Sequence, residues 1–182
     1  MVYIILGTGF EETEAIAPGD VLRRAQIPME YVGIGGKLVT GAHGITLAAD
    51  ITLEEMNLDA MDMIVLPGGL GGVESIEASD GAMAAVEYAL THDRYVAAIC
   101  AAPTILGKRG YLDGRNAVCY PGCEGAMGQA ILHPDREAVV DGKIITGRAP
   151  GAAIEFGLTL AGILPGSYTP DEVAGYMVYE RK

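Results

Sequence analysis

Short runs rich in β-branched and apolar residues alternate along this chain with stretches patterned for helix, and that alternation admits few folds. Val2–Leu6 reads as a first strand and Glu12–Arg24 as its helix, with carboxylates in the first turn and arginines in the last, as the helix dipole favours. Pro18 either kinks that helix or marks its true start. Pro28–Gly33 reads as a second strand, and residues 37–50 alternate around Gly41 and Gly44 as a hairpin at the sheet edge. Met63–Leu66 is wholly apolar, which suits a buried central strand, and it runs straight into Pro67-Gly68-Gly69. A helix from Asp80 to about His92, a strand Val96–Ile99 and a helix from Ala102 follow. Beyond Gly110 the pattern weakens. Asn116–Cys119, Ala138–Val140 and Ile144–Thr146 each supply a short strand, and helices at Ala152–Ala161 and Pro170–Tyr176 close the chain. Strands joined by crossover helices predict a flavodoxin-like α/β fold: a doubly wound, mostly parallel sheet with helices on both faces and an edge hairpin.

The 182 residues, half of them apolar, fit one domain over 1–182 with enough core for a sheet covered on both faces. The 26 glycines follow no period and read as turn residues between many short elements. Twelve basic against 24 acidic residues give a net charge of -12, which repels phosphate backbones and anionic membrane surfaces and argues against nucleic acid as a partner. No apolar stretch reaches the length of a membrane span. The amino-terminal segment lacks a basic flank and a small-residue cleavage site, and three cysteines without CxxC spacing suit a reducing compartment, so a cytoplasmic protein is expected. His43, His92 and His133 show no metal-ligand spacing with these thiols, and no cofactor is expected.

Chemistry concentrates in three loops. In Val96-Ala97-Ala98-Ile99-Cys100-Ala101-Ala102-Pro103-Thr104 a cysteine stands between a buried strand and a helix whose first turn tolerates Pro103. That is the layout of a nucleophile elbow, in which helix N–H groups would lower the thiol's pKa. The alternative is a small buried filler, since free cysteine is among the most buried residue types. Pro67-Gly68-Gly69 offers uncovered backbone N–H groups, the material of an oxyanion hole, or simply a tight turn. The loop Gly7–Glu14 feeds three carboxylates into a helix start. They serve the helix dipole on a solvated face, unless one of them turns toward Cys100 to move a proton.

The segments GFEETEAIAP, LPGG, AAICAAPT and DGKIITGRAPGAAIEF stand in the order seen in the ThiJ/PfpI superfamily, and the chain most resembles the branch of the parkinsonism-associated protein deglycase. The resemblance spans nearly the whole chain. It implies Cys100 as nucleophile or redox thiol, Glu14 as the acid hydrogen-bonded to its sulfur, and Gly68, Gly69 and Ala101 as the anion-stabilising backbone. It also implies structural roles for Glu11 and Glu12, scaffolding charges at Arg24 and Arg148 near dimer and pocket surfaces, and a homodimer. Three departures stand out. Tyr120, between Cys119 and Cys123, replaces a histidine that branch members carry near the nucleophile, and a phenol is a poor base at neutral pH. His43 stands where relatives place an arginine, and Ala149 interrupts a glycine-proline pair. Cys119 and Cys123 are either inert packing or resolving thiols for Cys100.

What the resemblance implies is a cofactor-independent enzyme of the glyoxalase or deglycase type, linked to oxidative stress, whose substrate is a small dicarbonyl or a glycated protein. An alternative is a redox sensor or chaperone-like protein acting through oxidation of Cys100. A cysteine peptidase or amidase is the weaker reading, because such relatives place a histidine directly after the nucleophile and Ala101 stands there.

Overall fold

The computed structural model describes residues 1–181. Strands β1 (Val2–Leu6), β2 (Met29–Gly33), β5 (Ile51–Thr52), β6 (Met63–Leu66), β7 (Tyr95–Ile99), β10 (Ala138–Asp141) and β11 (Ile144–Gly147) build one seven-stranded sheet in the order β10-β11-β7-β6-β1-β2-β5. All neighbours are parallel except β10 and β11, which form an antiparallel hairpin along one edge. The central strands β1 and β6 are buried at every residue, as their unbroken apolar sequences require when both faces are covered.

Helix α5 (Ala153–Ile163) packs against both α1 (Glu12–Arg24) and α6 (Pro170–Tyr176). Helices α2 (Leu70–Glu77) and α3 (Asp80–Thr91) pack together on the other layer. Pro18 lies within α1 rather than at its start. Helix α2 has no counterpart in the sequence reading: two of its eight residues are glycine, which hides a helix from propensity. The helix after Cys100, α4 (Pro103–Gly107), is short and completely buried.

The hairpin expected over residues 37–50 forms as β3 (Leu38–Thr40) and β4 (Thr46–Ala48), a two-stranded sheet of its own. It docks on the loop after β1: Gly9 N–H donates to Thr40 O at 2.8 Å and Ala42 N–H to Phe10 O at 2.8 Å. A second small sheet pairs β8 (Asn116–Ala117) with β9 (Ile131–Leu132); the expected strand from Asn116 is two residues long, and β9 was not anticipated. No helix among the described residues is long and apolar enough to cross a membrane.

The chain builds outward from β1 in both directions, to β2 on one side and to β6, β7 and β11 on the other. The direction reverses between β1 and β6, the point at which open α/β sheets place their ligand sites. The loop after β1, the loop 67–69 after β6 and the turn after β7 meet there.

The contact between α1 and α5 depends on a missing side chain. A Cβ at Gly157 would lie 2.9 Å from Pro18 Cα and 3.1 Å from Val21 Cβ. Gly157→Ala is expected to lower unfolding stability by about 1–3 kcal/mol in urea titrations, the usual cost of overpacking. An unchanged midpoint would mean that α1 and α5 are free to separate.

Candidate active site

Cys100 directly follows β7 and has φ +66°, one of few non-glycine residues in the left-handed region. Such a conformation costs about 1–3 kcal/mol and persists only where the surroundings enforce it. Here both backbone groups of Cys100 are tied down: its N–H donates to Gly147 O at 2.9 Å, and its carbonyl accepts from Tyr120 N–H at 2.8 Å. The turn thereby becomes an elbow that lifts the side chain off the sheet end. The side chain is less open than the sequence suggests, because Cys100 is only 7% exposed, covered by the converging loops.

Glu14 reaches the elbow from the first turn of α1. The preceding residue of the loop, Glu11, caps that helix, its carboxylate accepting from Glu14 N–H at 2.8 Å. Glu14 is fully buried, and its Oε2 accepts from Gly68 N–H at 2.8 Å. Oε1 is sealed from solvent and has no hydrogen-bond partner, and the carboxyl as a whole interacts with the Cys100 thiol. Gly68 makes this contact possible. A Cβ there would fall 2.6 Å from Glu14 Oε2 and 2.8 Å from Cys100 Cβ, so any side chain at 68 would wedge acid and sulfur apart.

The electrostatics depart from a simple helix-activated thiol. Burial raises the Glu14 carboxyl to about 7, opposed by its hydrogen bonds to Cys100 and Gly68. Burial and the neighbouring Glu14 charge push the Cys100 thiol up, while the backbone N–H groups of Ala101 and Gly69 pull it down. Helix α4 is too short to overcome the burial. Two anions cannot sit side by side in so dry a site, so acid and thiol titrate as one unit. One proton leaves the pair near neutrality, from the carboxyl, and the thiol, pushed further up, keeps the other.

The three backbone groups expected to bind an oxyanion divide. Gly68 N–H is committed to Glu14, whereas the Gly69 and Ala101 N–H groups face the Cys100 sulfur. Gly69 has φ +81°, and a Cβ there would meet Gly9 O at 2.5 Å, which explains why the loop after β6 can lie against the loop after β1.

Tyr120 is joined to Cys100 through its backbone, and its side chain is 45% exposed. The phenol borders an open depression of about 330 Å³ shared with Pro121, Glu137, Arg148, Ala149, Gly151 and Ala152. Cys119 is buried, with its thiol pushed up to about 11 by burial and by the charges of Glu124 and Cys123. Cys123 is partly exposed; all three cysteines are free thiols. None of the three histidines is engaged at the elbow: His43 bonds Glu12, His92 stacks on Tyr88, and His133 bonds Asn116 Oδ1 at 2.7 Å.

Contacts that the sequence does not specify support the site. Buried Glu12 receives both the backbone N–H and the Nδ1 of His43 at 2.8 Å, so it clamps the hairpin tip onto the start of α1. Glu11, Glu12 and His43 place their ligand atoms within 4.8 Å of one another, a cluster that a search confined to histidine and cysteine spacing passes over. Thr146, buried in β11, accepts from Val118 N–H at 2.9 Å and anchors the segment that leads to Tyr120. A threonine inside an apolar strand was the available signal. Arg24 bonds Asp20 at 2.7 Å on the exposed side of α1, away from the elbow.

The model of the DJ-1/PfpI family matches residues 1–162. The protein dj-1beta of Drosophila melanogaster is 38% identical over 173 residues, covering 94% of this chain and 92% of that protein. A crystal structure of Drosophila DJ-1beta superposes with a TM-score of 0.92 at 35% identity, covering 99% of this chain and 98% of the other. The deglycase PfpI of Pyrococcus furiosus is 34% identical over 143 residues, covering 78% of this chain and 86% of the relative.

Holding Glu14 ionised inside the protein is unfavourable, and the direction follows from its raised pKa. The contribution is fully favourable below the unfolded value near 4.5 and is lost as pH rises through about 7, a difference of about 3 kcal/mol. Glu14→Gln is therefore expected to unfold at higher denaturant than the wild type at pH 8 and to show a flatter stability profile between pH 5 and 8. A variant less stable than the wild type at pH 8 would mean the carboxylate is stabilised, not strained, by its site.

Proposed function

The chain belongs to the DJ-1/PfpI family, and from that membership and the geometry of the elbow we propose that it is a cofactor-independent, Cys100-dependent enzyme acting on reactive dicarbonyls or on their early adducts with proteins. The observation that carries the proposal is a buried acid titrating near neutrality in direct contact with a sulfur held in a left-handed turn. A thiol that loses its proton only to the adjacent carboxyl is suited to a reaction in which one proton is handed back and forth.

With methylglyoxal, the Cys100 sulfur adds to the aldehyde carbon. The S–H proton passes to the Glu14 carboxylate as the C–S bond forms, the carbonyl π pair moves to oxygen, and Glu14 hands that proton to the oxygen, giving a hemithioacetal. Glu14, again a carboxylate, removes the proton from the same carbon to give an enediol. It then delivers that proton to the neighbouring carbon while the hydroxyl proton of the first carbon passes to the oxygen of the second, leaving a thioester. Gly69 and Ala101 offer N–H groups where negative oxygen develops, although both first serve the sulfur. Water then cleaves the thioester to lactate and restores the thiol, so no net oxidation occurs and no co-reactant beyond water is consumed. Tyr120 borders the entrance and can donate a hydrogen bond to substrate; the proton shuttle is assigned to Glu14 alone.

A second reading is favoured by the same pair. If peroxide oxidises Cys100 to the sulfinate, a protonated Glu14 would donate to one of its oxygens and stabilise that state, as a redox sensor requires. Gain of two oxygens at Cys100 in preference to Cys119 and Cys123 under mild peroxide, read by peptide mass spectrometry, supports that reading.

Purified protein is expected to convert methylglyoxal to lactate, with Cys100→Ser reduced by at least about a hundredfold and Glu14→Gln by a similar factor, the scale of losing a nucleophile or a positioned proton carrier. Equal rates in the wild type and Cys100→Ser would remove dicarbonyl chemistry from this site.

A further inference from the structure

We propose that the depression beside the elbow is a carboxylate subsite, with the Arg148 guanidinium and the Tyr120 hydroxyl as its anion-binding groups, so that the preferred dicarbonyl substrates carry an acidic group. This rests on the dicarbonyl reading of Cys100 for the reaction, though not for the binding.

The argument is one of position. Gly147 O holds the Cys100 N–H at 2.9 Å, and the next residue is Arg148; Tyr120 N–H holds the Cys100 carbonyl at 2.8 Å. The two segments that fix the nucleophile's backbone are thus the two that supply the cation and the phenol of the depression. Its volume of about 330 Å³ is enough for a compound of a few carbons beyond the reacting carbonyl. In a chain with 24 acidic and 12 basic residues a cation has no shortage of available partners, yet Arg148, which follows the residue that holds the Cys100 N–H, forms no salt bridge with a described residue. A planar guanidinium left open in a concavity matches a carboxylate in two parallel hydrogen bonds.

The surroundings fit the same ligand. Gly151 and Ala152 form the wall at the entry to α5, an eleven-residue helix whose N-terminal end carries positive partial charge. Ala149 lines the space with a methyl group alone, where a larger side chain would take up part of it. Glu137 also borders the space, and its charge opposes an anion there, so the guanidinium, the phenol and the helix end must act together.

Binding is tested apart from catalysis with levulinate, a keto acid that lacks the aldehyde and cannot form the hemithioacetal. Titrated into Cys100→Ala protein and followed by amide NMR shifts, levulinate is expected to bind saturably at residues 120 and 148–152, and methyl levulinate is expected not to. Arg148→Gln should weaken binding by about tenfold or more, and Arg148→Lys should restore part of it. Turnover is compared for 4,5-dioxopentanoate, a dicarbonyl with a carboxylate arm, and neutral methylglyoxal. The ratio of their kcat/KM values should favour the acid in the wild type and fall about tenfold in Arg148→Gln. Levulinate binding through Arg148 without turnover of either dicarbonyl would uphold the subsite and overturn the dicarbonyl reading. Turnover with a ratio and a levulinate affinity indifferent to Arg148→Gln, or no saturable levulinate binding at all, would overturn the subsite.

Discussion

A carboxyl group without solvent contact is pressed against a sulfur with almost none, and between them stands a glycine that leaves no room for a methyl group. Everything else about the centre is arranged around that contact. The carboxyl comes from the start of α1, the sulfur from the end of β7 and the glycine from the loop after β6. The contact therefore exists only if three strand ends of the sheet are in register. The parallel pairing of β6 with both β1 and β7 supplies that register, and the hydrogen bond from Glu11 N–H to Gly68 O at 3.0 Å closes the loops against each other.

The cost of the arrangement is spread over the fold. Cys100 is strained in its backbone and Glu14 is desolvated, and neither would persist on a flexible support. Support comes from apolar strands buried at each position, from Gly147 and Tyr120 holding both sides of the elbow, and from the His43–Glu12 clamp that fastens the hairpin over the start of α1. Functional chemistry and structural tension occupy the same few residues, which is where local sequence rules are expected to fail.

Much of this was legible in the chain. The apolar run Met63–Leu66 and the dipole-matched helix Glu12–Arg24 are strong local signals, and the elbow around Cys100 is recognisable from a strand that ends in cysteine before a helix tolerant of proline. What the sequence conceals is distance and dryness. Nothing local tells that Gly68 N–H turns to Glu14 and not to an incoming oxyanion, or that loops from three strands cover the sulfur. The expectation of a helix-lowered thiol pKa failed for that reason: burial and a like charge act across the fold, and helix α4 proved short. Helix α2 was missed because paired glycines mask it, and β9 because two residues carry too little pattern to read.

The left-handed turn at Cys100 also limits which atoms can occupy the centre of this fold. A β-branched side chain is a steric outlier at φ +66°; exposed Val178 adopts φ +53°, but at this buried turn threonine, valine and isoleucine are disfavoured. Among residues with a nucleophilic atom on an unbranched Cβ, serine and cysteine remain. Serine's hydroxyl would need a far stronger base than a carboxyl that titrates near neutrality. The backbone at this single residue, and not only the acid beside it, commits the scaffold to sulfur.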